Sequence, residues 1–447
     1  MSHYKPYPAY KDSGVEWLGR VPEHWQVKQL KYLTSHIGSG KTPSGGAEVY
    51  QDAGVLFLRS QNVYDDGLRL DDATFISEEV DQEMKGSRVV PGDVLLNITG
   101  ASIGRSCLVP EEFERANVNQ HVCIIRGEPP VVSKWISLCL PSKPVQGQID
   151  FSQNGAGREG LNFEQIGNMF IALPPAEEVD KASSHLDRET SRIDALIEKK
   201  TRFIELLREK RQALITHAVT KGLDPSVKMK NPGVEWLGEM PEHWEIKRLQ
   251  FLCSNIKAGP FGSALTKDMY VSDGYRVYGQ EQVIPGDFSI GDYYITPEYF
   301  SELAQYAVQP GDVLVSCVGT FGKIAVVPED VEPGIINPRL IRIRVNQLVS
   351  PLYLTMLMRS SVVFEQFSLW SRGGTMDVIN IGTLSGIVLP VPPASEQQAI
   401  LAYVEYEAGR IDASTNKTKR SIELLKERRS ALITAAVTGQ IDLREAV

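Results

Sequence analysis

IELLREKRQALITHAVT, residues 204–220, is answered 218 positions later by IELLKERRSALITAAVT, residues 422–438. Each copy lies downstream of a double proline, Pro174-Pro175 and Pro392-Pro393. Proline holds the residue before it extended yet is tolerated in a first helical turn, so a helix is predicted to start behind each pair. Gly222 and Gly439 stand where left-handed caps would end them. The predicted helices run from about Ala176 to Lys221 and from about Ala394 to Thr438. At ~1.5 Å per residue each is a rod of roughly 65 Å, far beyond the ~11-residue average, and such a rod needs a partner along its length. Ile193, Ile197, Ile204, Leu207, Leu214 and Ala218, and then Ile411, Ile422, Leu425, Leu432 and Ala436, supply a four-three seam for one. Arg211 and Arg429 interrupt the seam at the same place. Either the stripe drifts, as an untwisted 3.6 repeat does, or the arginines pair with acidic groups; drift is the preferred reading.

The duplication extends outward from the helices over the whole chain. GVEWLGRVPEHW at Gly14 returns as GVEWLGEMPEHW at Gly233, and PGDVLLNITG at Pro91 returns as PGDVLVSCVG at Pro310. LVPEE at Leu108 matches VVPED at Val326, and Asn162 matches Asn380. Between these anchors the copies share little: KTPSGGAEVYQDAGVLFLRSQNVYDDG faces LTKDMYVSDGYRVYGQEQVIPGDFSIGD. The frame is repeated and its filling is not, which suits a reader of two unlike half-sites.

Short β-rich runs punctuated by Gly and Pro (VLFLRS, DVLLNI, VCIIRG, YRVYG, DVLVSCV, LIRIRV) fill the segments before each helix. The fold class expected is α+β: two pseudo-repeated mixed α/β bodies separated by an antiparallel two-helix coiled coil. The division expected is 1–175, a first body; 176–222, the first helix; 223–393, a second body; and 394–447, the second helix. Two helices at equivalent points of a tandem repeat most simply pack antiparallel about a pseudo-two-fold axis, with the bodies at opposite ends.

A chain of 447 residues that is 42% hydrophobic has material for two to four cores. The five cysteines form no C-x-x-C pair and read as reduced core thiols, which points to the cytoplasm. No apolar run of 18 residues is present, and MSHYKPYPAYKDSG lacks the apolar core of a secretory signal, so no membrane role is expected. A net charge of −9 argues against strong unaided binding to nucleic acid. Two basic stripes qualify this: Lys199, Lys200, Arg202, Arg208, Lys210 and Arg211 in the first helix, with six Lys/Arg between Lys417 and Arg429 in the second.

Motifs for chemistry fail on inspection. GSGKT at Gly38 would need Gly at the position of Ser35 and a helix beginning at the lysine; Pro43 and Gly45-Gly46 follow instead. The stretch is an exposed loop suited to touching a phosphate backbone. INPRL at Ile336 lacks the second proline and the aromatic of an adenine methyltransferase box, and no glycine-rich methyl-donor pocket is seen. Asp65-Asp66 and Asp71-Asp72 read as solvated turns, not nuclease carboxylates. His24 and His243 fall at equivalent frame positions and read as structural. No catalytic residue, metal ligand or cofactor is assigned.

YPAYKDSGVEWLGRVPEHW, its copy NPGVEWLGEMPEHW, PGDVLLNITGASIGR, and the twin endings ELLREKRQALITHAVTKG and ELLKERRSALITAAVTGQ together make the chain resemble, end to end, the specificity subunit of type I restriction-modification systems. The resemblance implies two target-recognition domains, each reading one half of a bipartite site in double-stranded DNA. It implies that the helices act as a ruler for the spacer and as a platform for two methyltransferase subunits, which carry the motor-nuclease subunits. The first helix departs from the usual PP-x-x-E-Q start, reading PPAEEVDKA where the second reads PPASEQQAI, although Glu178 is kept. Two rival readings are a fused methyltransferase or nuclease, disfavoured by the missing pockets, and an assembly scaffold that uses the coil alone.

Phosphate contacts fix register, while Arg, Lys, Asn and Gln read base edges. By position in Gly-rich or variable loops the candidate DNA contacts are Lys41, Thr42, Arg105, Asn119, Gln120, Asn154 and Arg158 in the first body. In the second they are Lys257, Ser263, Lys267, Lys323, Arg339, Ser371 and Arg372.

Overall fold

The computed structural model describes residues 4–153, 160–234, 236–317, 323–371 and 379–444, apart from the side chains at 263 and 368–371. The chain forms two compact units, Met1–Thr201 with Arg420–Val447, and Arg202–Lys419.

In the first unit the chain order is β1 (Gln26–Gln29), β2 (Thr34–Ser39), β3 (Val55–Leu58), β4 (Thr74–Ile76), β5 (Arg88–Val89), β6 (Val94–Asn97), β7 (Ser106–Leu108), β8 (Ala116–Val118), β9 (Val122–Gly127), helix α1 (Pro130–Cys139) and β10 (Phe170–Leu173). Helix α2 (Ala176–Lys221) follows. One four-stranded sheet has the order β7-β6-β9-β2, wholly antiparallel; a second has the order β4-β3-β8-β5, with β3 and β8 parallel. Strand β6 is buried on both faces, because Val94 and Leu96 pack in the core with Trp135 of α1 while Leu95 packs with Leu56 and Val118 of the second sheet. That explains why VLLN carries no polar alternation.

The second unit repeats the plan: β11 (Glu245–Arg248), β12 (Cys253–Ala258), β13 (Tyr275–Tyr278), β14 (Tyr294–Ile295), β15 (Val313–Ser316), β16 (Ile324–Val326), β17 (Gly334–Ile336), β18 (Leu340–Val345), α3 (Pro351–Met358), β19 (Val388–Val391) and α4 (Ala394–Val437). Its sheets have the orders β12-β18-β15-β16 and β14-β13-β17, the pair β13 and β17 again parallel. Val313 and Val315 face one core and Leu314 the other, as in the first unit.

The repeated motifs are the joints of this frame. Trp25 is buried and donates its indole N–H to Glu178 Oε2 at 3.0 Å, while His24 Nε2 lies 2.7 Å from Glu178 Oε1. Trp244 and His243 meet Glu396 in the same way, at 2.9 and 2.6 Å. Each P-E-H-W therefore clamps the first turn of a long helix through the glutamate behind the double proline, and the histidines are structural. In PGD, the buried Asp93 accepts the Val90 N–H at 2.8 Å and holds Arg126 at 2.7 and 2.8 Å. Asp312 repeats this with Gln309 at 2.8 Å and Arg344 at 2.8 Å.

The long helices end as expected, with Gly222 at φ +75° and Gly439 at φ +68°. Each unit takes part of both. In the first unit Val179, Ala182 and Leu186 of α2 share a core with Leu432, Ile433, Ala436 and Val437 of α4; in the second, Ile215, Ala218 and Val219 share one with Ile400 and Val404. The seam residues named above are all buried or half-buried, and Ile215 and Val219, adjacent to two of them, extend it. The preference for a drifting stripe at the arginines is corrected. Arg429 Nε lies 3.1 Å from Asp194 in the first unit, and Arg211 Nε lies 3.3 Å from Asp412 in the second. The two pairs exchange equivalent positions, and with Asp194 facing 429 while Val179 meets the stretch beyond 432, the helices run antiparallel within the unit.

Candidate nucleic-acid interface

Strand register gathers the variable loops. In the first unit Ser39 pairs with Cys123, Asn97 with Val122, and Leu96 with Ser106. The loops after β2, after β6 and before β9 therefore leave from one end of the sheet. There Gly40 crosses the chain so closely that a Cβ would fall 1.6 Å from the Val118 carbonyl oxygen, so only glycine fits. Asn119 accepts the His121 N–H at 3.0 Å, an Asx turn. Thr42 donates to Gln120 Oε1 at 2.7 Å, Gln120 Nε2 meets His121 Nε2 at 3.0 Å, and His121 Nδ1 meets Thr99 Oγ1 at 2.5 Å.

Lys41, Thr42, Gln120 and Arg105 are exposed at this end, and Asn119 is buried, shaping the turn that presents its neighbours. Arg105 lies 5.1 Å from the Tyr64 ring centroid and Arg69 4.7 Å from it. Tyr64 and Arg69 escaped sequence reasoning, although NVYDDGLRL holds both beside the acidic pair that drew attention. Those acids are occupied: Asp65 accepts the Ser106 N–H at 3.0 Å and Asp66 pairs with Arg69 at 2.7 Å. Asn154 and Arg158 lie outside the described residues.

The second unit builds the same end from different side chains. Ala258 pairs with Ile341, Ser316 with Leu340, and Val315 with Ile324. Gly259 repeats the close crossing, its Cβ placed 1.9 Å from the Asn337 oxygen, and Asn337 accepts the Arg339 N–H at 2.9 Å. Arg339 and Lys323 are exposed here. Lys267 is exposed on a short 3-10 turn, Lys267–Met269. Lys257 is half-buried on β12, bonded to Gln305 at 2.7 Å and lying 5.3 Å from the Tyr306 ring. Ser263 and Ser371 have backbone but no side chain among the described residues, and Arg372 lies outside them.

Arg342, beneath this surface on β18, is buried beside Arg344; burial, and then that charge, lower its pKa, with Asp312 opposing. Its guanidinium bonds the Ala307 carbonyl and Asn255. Among the described residues no group of three His, Cys, Asp or Glu is placed to hold a metal ion, and no helix is long and apolar enough to cross a membrane.

Residues 241–424 match the family described as the type I restriction modification DNA specificity domain. The chain is 21% identical over 435 residues to the MjaX type I restriction enzyme specificity subunit of Methanocaldococcus jannaschii, covering 96% of each. It is 20% identical over 439 residues to the EcoKI specificity subunit of Escherichia coli, covering 95% of this chain and 90% of that one. Its fold is similar to that of the HsdS subunit from Thermoanaerobacter tengcongensis, with TM-score 0.51, 17% identity, and coverage of 94% and 98%. A chain from a structural study of assembly and conformational transition of the type I R-M system gives TM-score 0.66 at 17% identity, covering 94% and 99%.

Proposed function

We propose that the chain is a specificity subunit of a type I restriction-modification system, and that each unit reads one half of a bipartite DNA site through the loop end of its first sheet. The observation that carries this reading is the pairing of identical joints with unlike loops. Gly40 over Val118 and Gly259 over Asn337 build the same platform, which presents Lys41, Thr42 and Gln120 in one unit and Phe261, Lys323 and Arg339 in the other. Direct readout needs donors and acceptors at base edges and cations at phosphates, and these loops hold both.

We further propose that the chain works in the cytoplasm as part of an assembly, with two methyltransferase subunits docked on it and motor-nuclease subunits carried by them. Exposed apolar side chains kept at equivalent points of both copies support two identical docking sites: Leu206 with Leu424 on the long helices, and Tyr32 with Phe251 on the turns after β1 and β11. An exposed hydrophobe kept at the same point of two otherwise divergent copies is what a partner shared by both would cover. The acidic balance of the lone chain fits a reader that holds DNA firmly only inside that assembly.

Sequencing adenine methylation in cells that express this chain with its methyltransferase subunit tests the proposal. Two short specified sequences separated by a gap of fixed length are expected. Methylation without sequence preference would leave only the scaffold reading.

A further inference from the structure

The two platforms differ at one position in a way that the shared function does not require. After Gly40 the first unit places Thr42, whose hydroxyl is engaged by Gln120. After Gly259 the second unit places Phe261 at the equivalent point, two residues beyond the glycine, and 70% of Phe261 is exposed. A large apolar side chain on a loop normally turns inward, since burial removes its surface from water. Here it stays in solvent, on a backbone with little freedom. Gly259 is locked over the Asn337 carbonyl, with Pro338 Cα 3.1 Å from where its Cβ would be; Pro260 is buried with φ fixed by its ring; and Gly262 turns the chain back at φ +63°. The phenylalanine is thus held outward on a stiff support at the sheet end that carries Arg339 and Lys323.

We propose that Phe261 is an apolar wedge that enters the duplex at the second half-site and packs against a base step there. This deepens the DNA-reading proposal and rests on it. Cations draw the backbone to such a surface while an inserted aromatic partly unstacks a step, and because steps differ in how readily they open, the insertion selects sequence without a hydrogen bond. The first unit, with a hydroxyl at that point, reads its half-site without this element, so the two half-sites are recognised by different physics on one frame.

The test uses the chain assembled with its methyltransferase subunits and duplex pools randomised in one half-site at a time. Phe261→Ala is expected to relax preference about tenfold at one or two adjacent positions of the second half-site, the scale of lost base–aromatic stacking, and to leave the first unchanged. Phe261→Trp is expected to keep the preference. Unchanged selectivity in Phe261→Ala overturns the wedge, as does a uniform loss of affinity with every preference intact. If the unsubstituted assembly itself shows no preference, the DNA-reading proposal has failed, and the wedge with it.

Discussion

Asp81 shows how the divergent filling of the first unit is held in place. It is fully buried, and it accepts Arg88 Nε at 2.9 Å and Asn117 Nδ2 at 3.1 Å. Burial pushes its carboxyl up, but the hydrogen bonds from Arg88 and Asn117 and the charges of Arg88 and Arg115 outweigh it, leaving the group below its ordinary value. A carboxyl depressed in the folded chain contributes stability above its unfolded value of about 3.9 and loses it as pH falls through the folded value. Asp81→Asn should therefore melt lower at pH 7, by about 2 kcal/mol for charged hydrogen bonds of this kind. The gap from the unsubstituted chain should close as pH drops below about 4. Melting curves from pH 7 to pH 3 check this, and a gap independent of pH would show that the charge contributes nothing. Little of the network was legible beforehand, because Asp81, Arg88 and Asn117 lie on three separate elements that sequence spacing does not bring together.

At the scale of elements, the long helices were the most legible part of the molecule. Their predicted ends fall within one residue of Ala176–Lys221 and Ala394–Val437, since a double proline and a positive-φ glycine are local instructions that tertiary contacts need not supply. The arginine pairing was not local. Arg211 meets Asp412, and Arg429 meets Asp194, so each arginine's partner lies on the other copy's helix, and the spacing within one helix gave no ground to prefer pairing over drift. These ion pairs are half in water, with side chains 21% and 40% exposed at Arg429 and Asp194 and 43% and 56% exposed at Arg211 and Asp412. Screening and side-chain entropy then hold each to about 0.2–1 kcal/mol. Double-mutant cycles with alanine should give the larger coupling at Arg429 and Asp194, and both couplings should shrink in 1 M salt. A coupling of several kcal/mol, or the reverse order, would contradict this account of the seam. The loops follow the opposite rule: glycines marked where they bend, but exposure of Phe261 and burial of Asn119 depend on strand register, which the sequence does not print.

For the molecule as a whole, the proposed reading gives the helices a second duty besides packing, that of setting the gap between half-sites. Each half of each helix is fastened in a core, at Val179 and Leu186 with Leu432 and Ile433, and at Ile215 and Val219 with Ile400 and Val404. Material inserted between these fastenings should therefore add length without disturbing either platform. Four residues inserted after Thr201 and four after Lys419 extend both helices by ~6 Å. That is the advance of between one and two base pairs at ~3.4 Å each. Both insertions are needed, because one alone would leave the two helices unequal in length between the cores they share. The doubly extended chain, expressed with its methyltransferase subunit, should methylate the same two half-sites with one or two more base pairs between them, and each single insertion should methylate poorly. An unchanged gap in a doubly extended chain that still methylates would mean that the spacing is set elsewhere, and the ruler would have to be abandoned while the reading of each half-site by its own loop end stood.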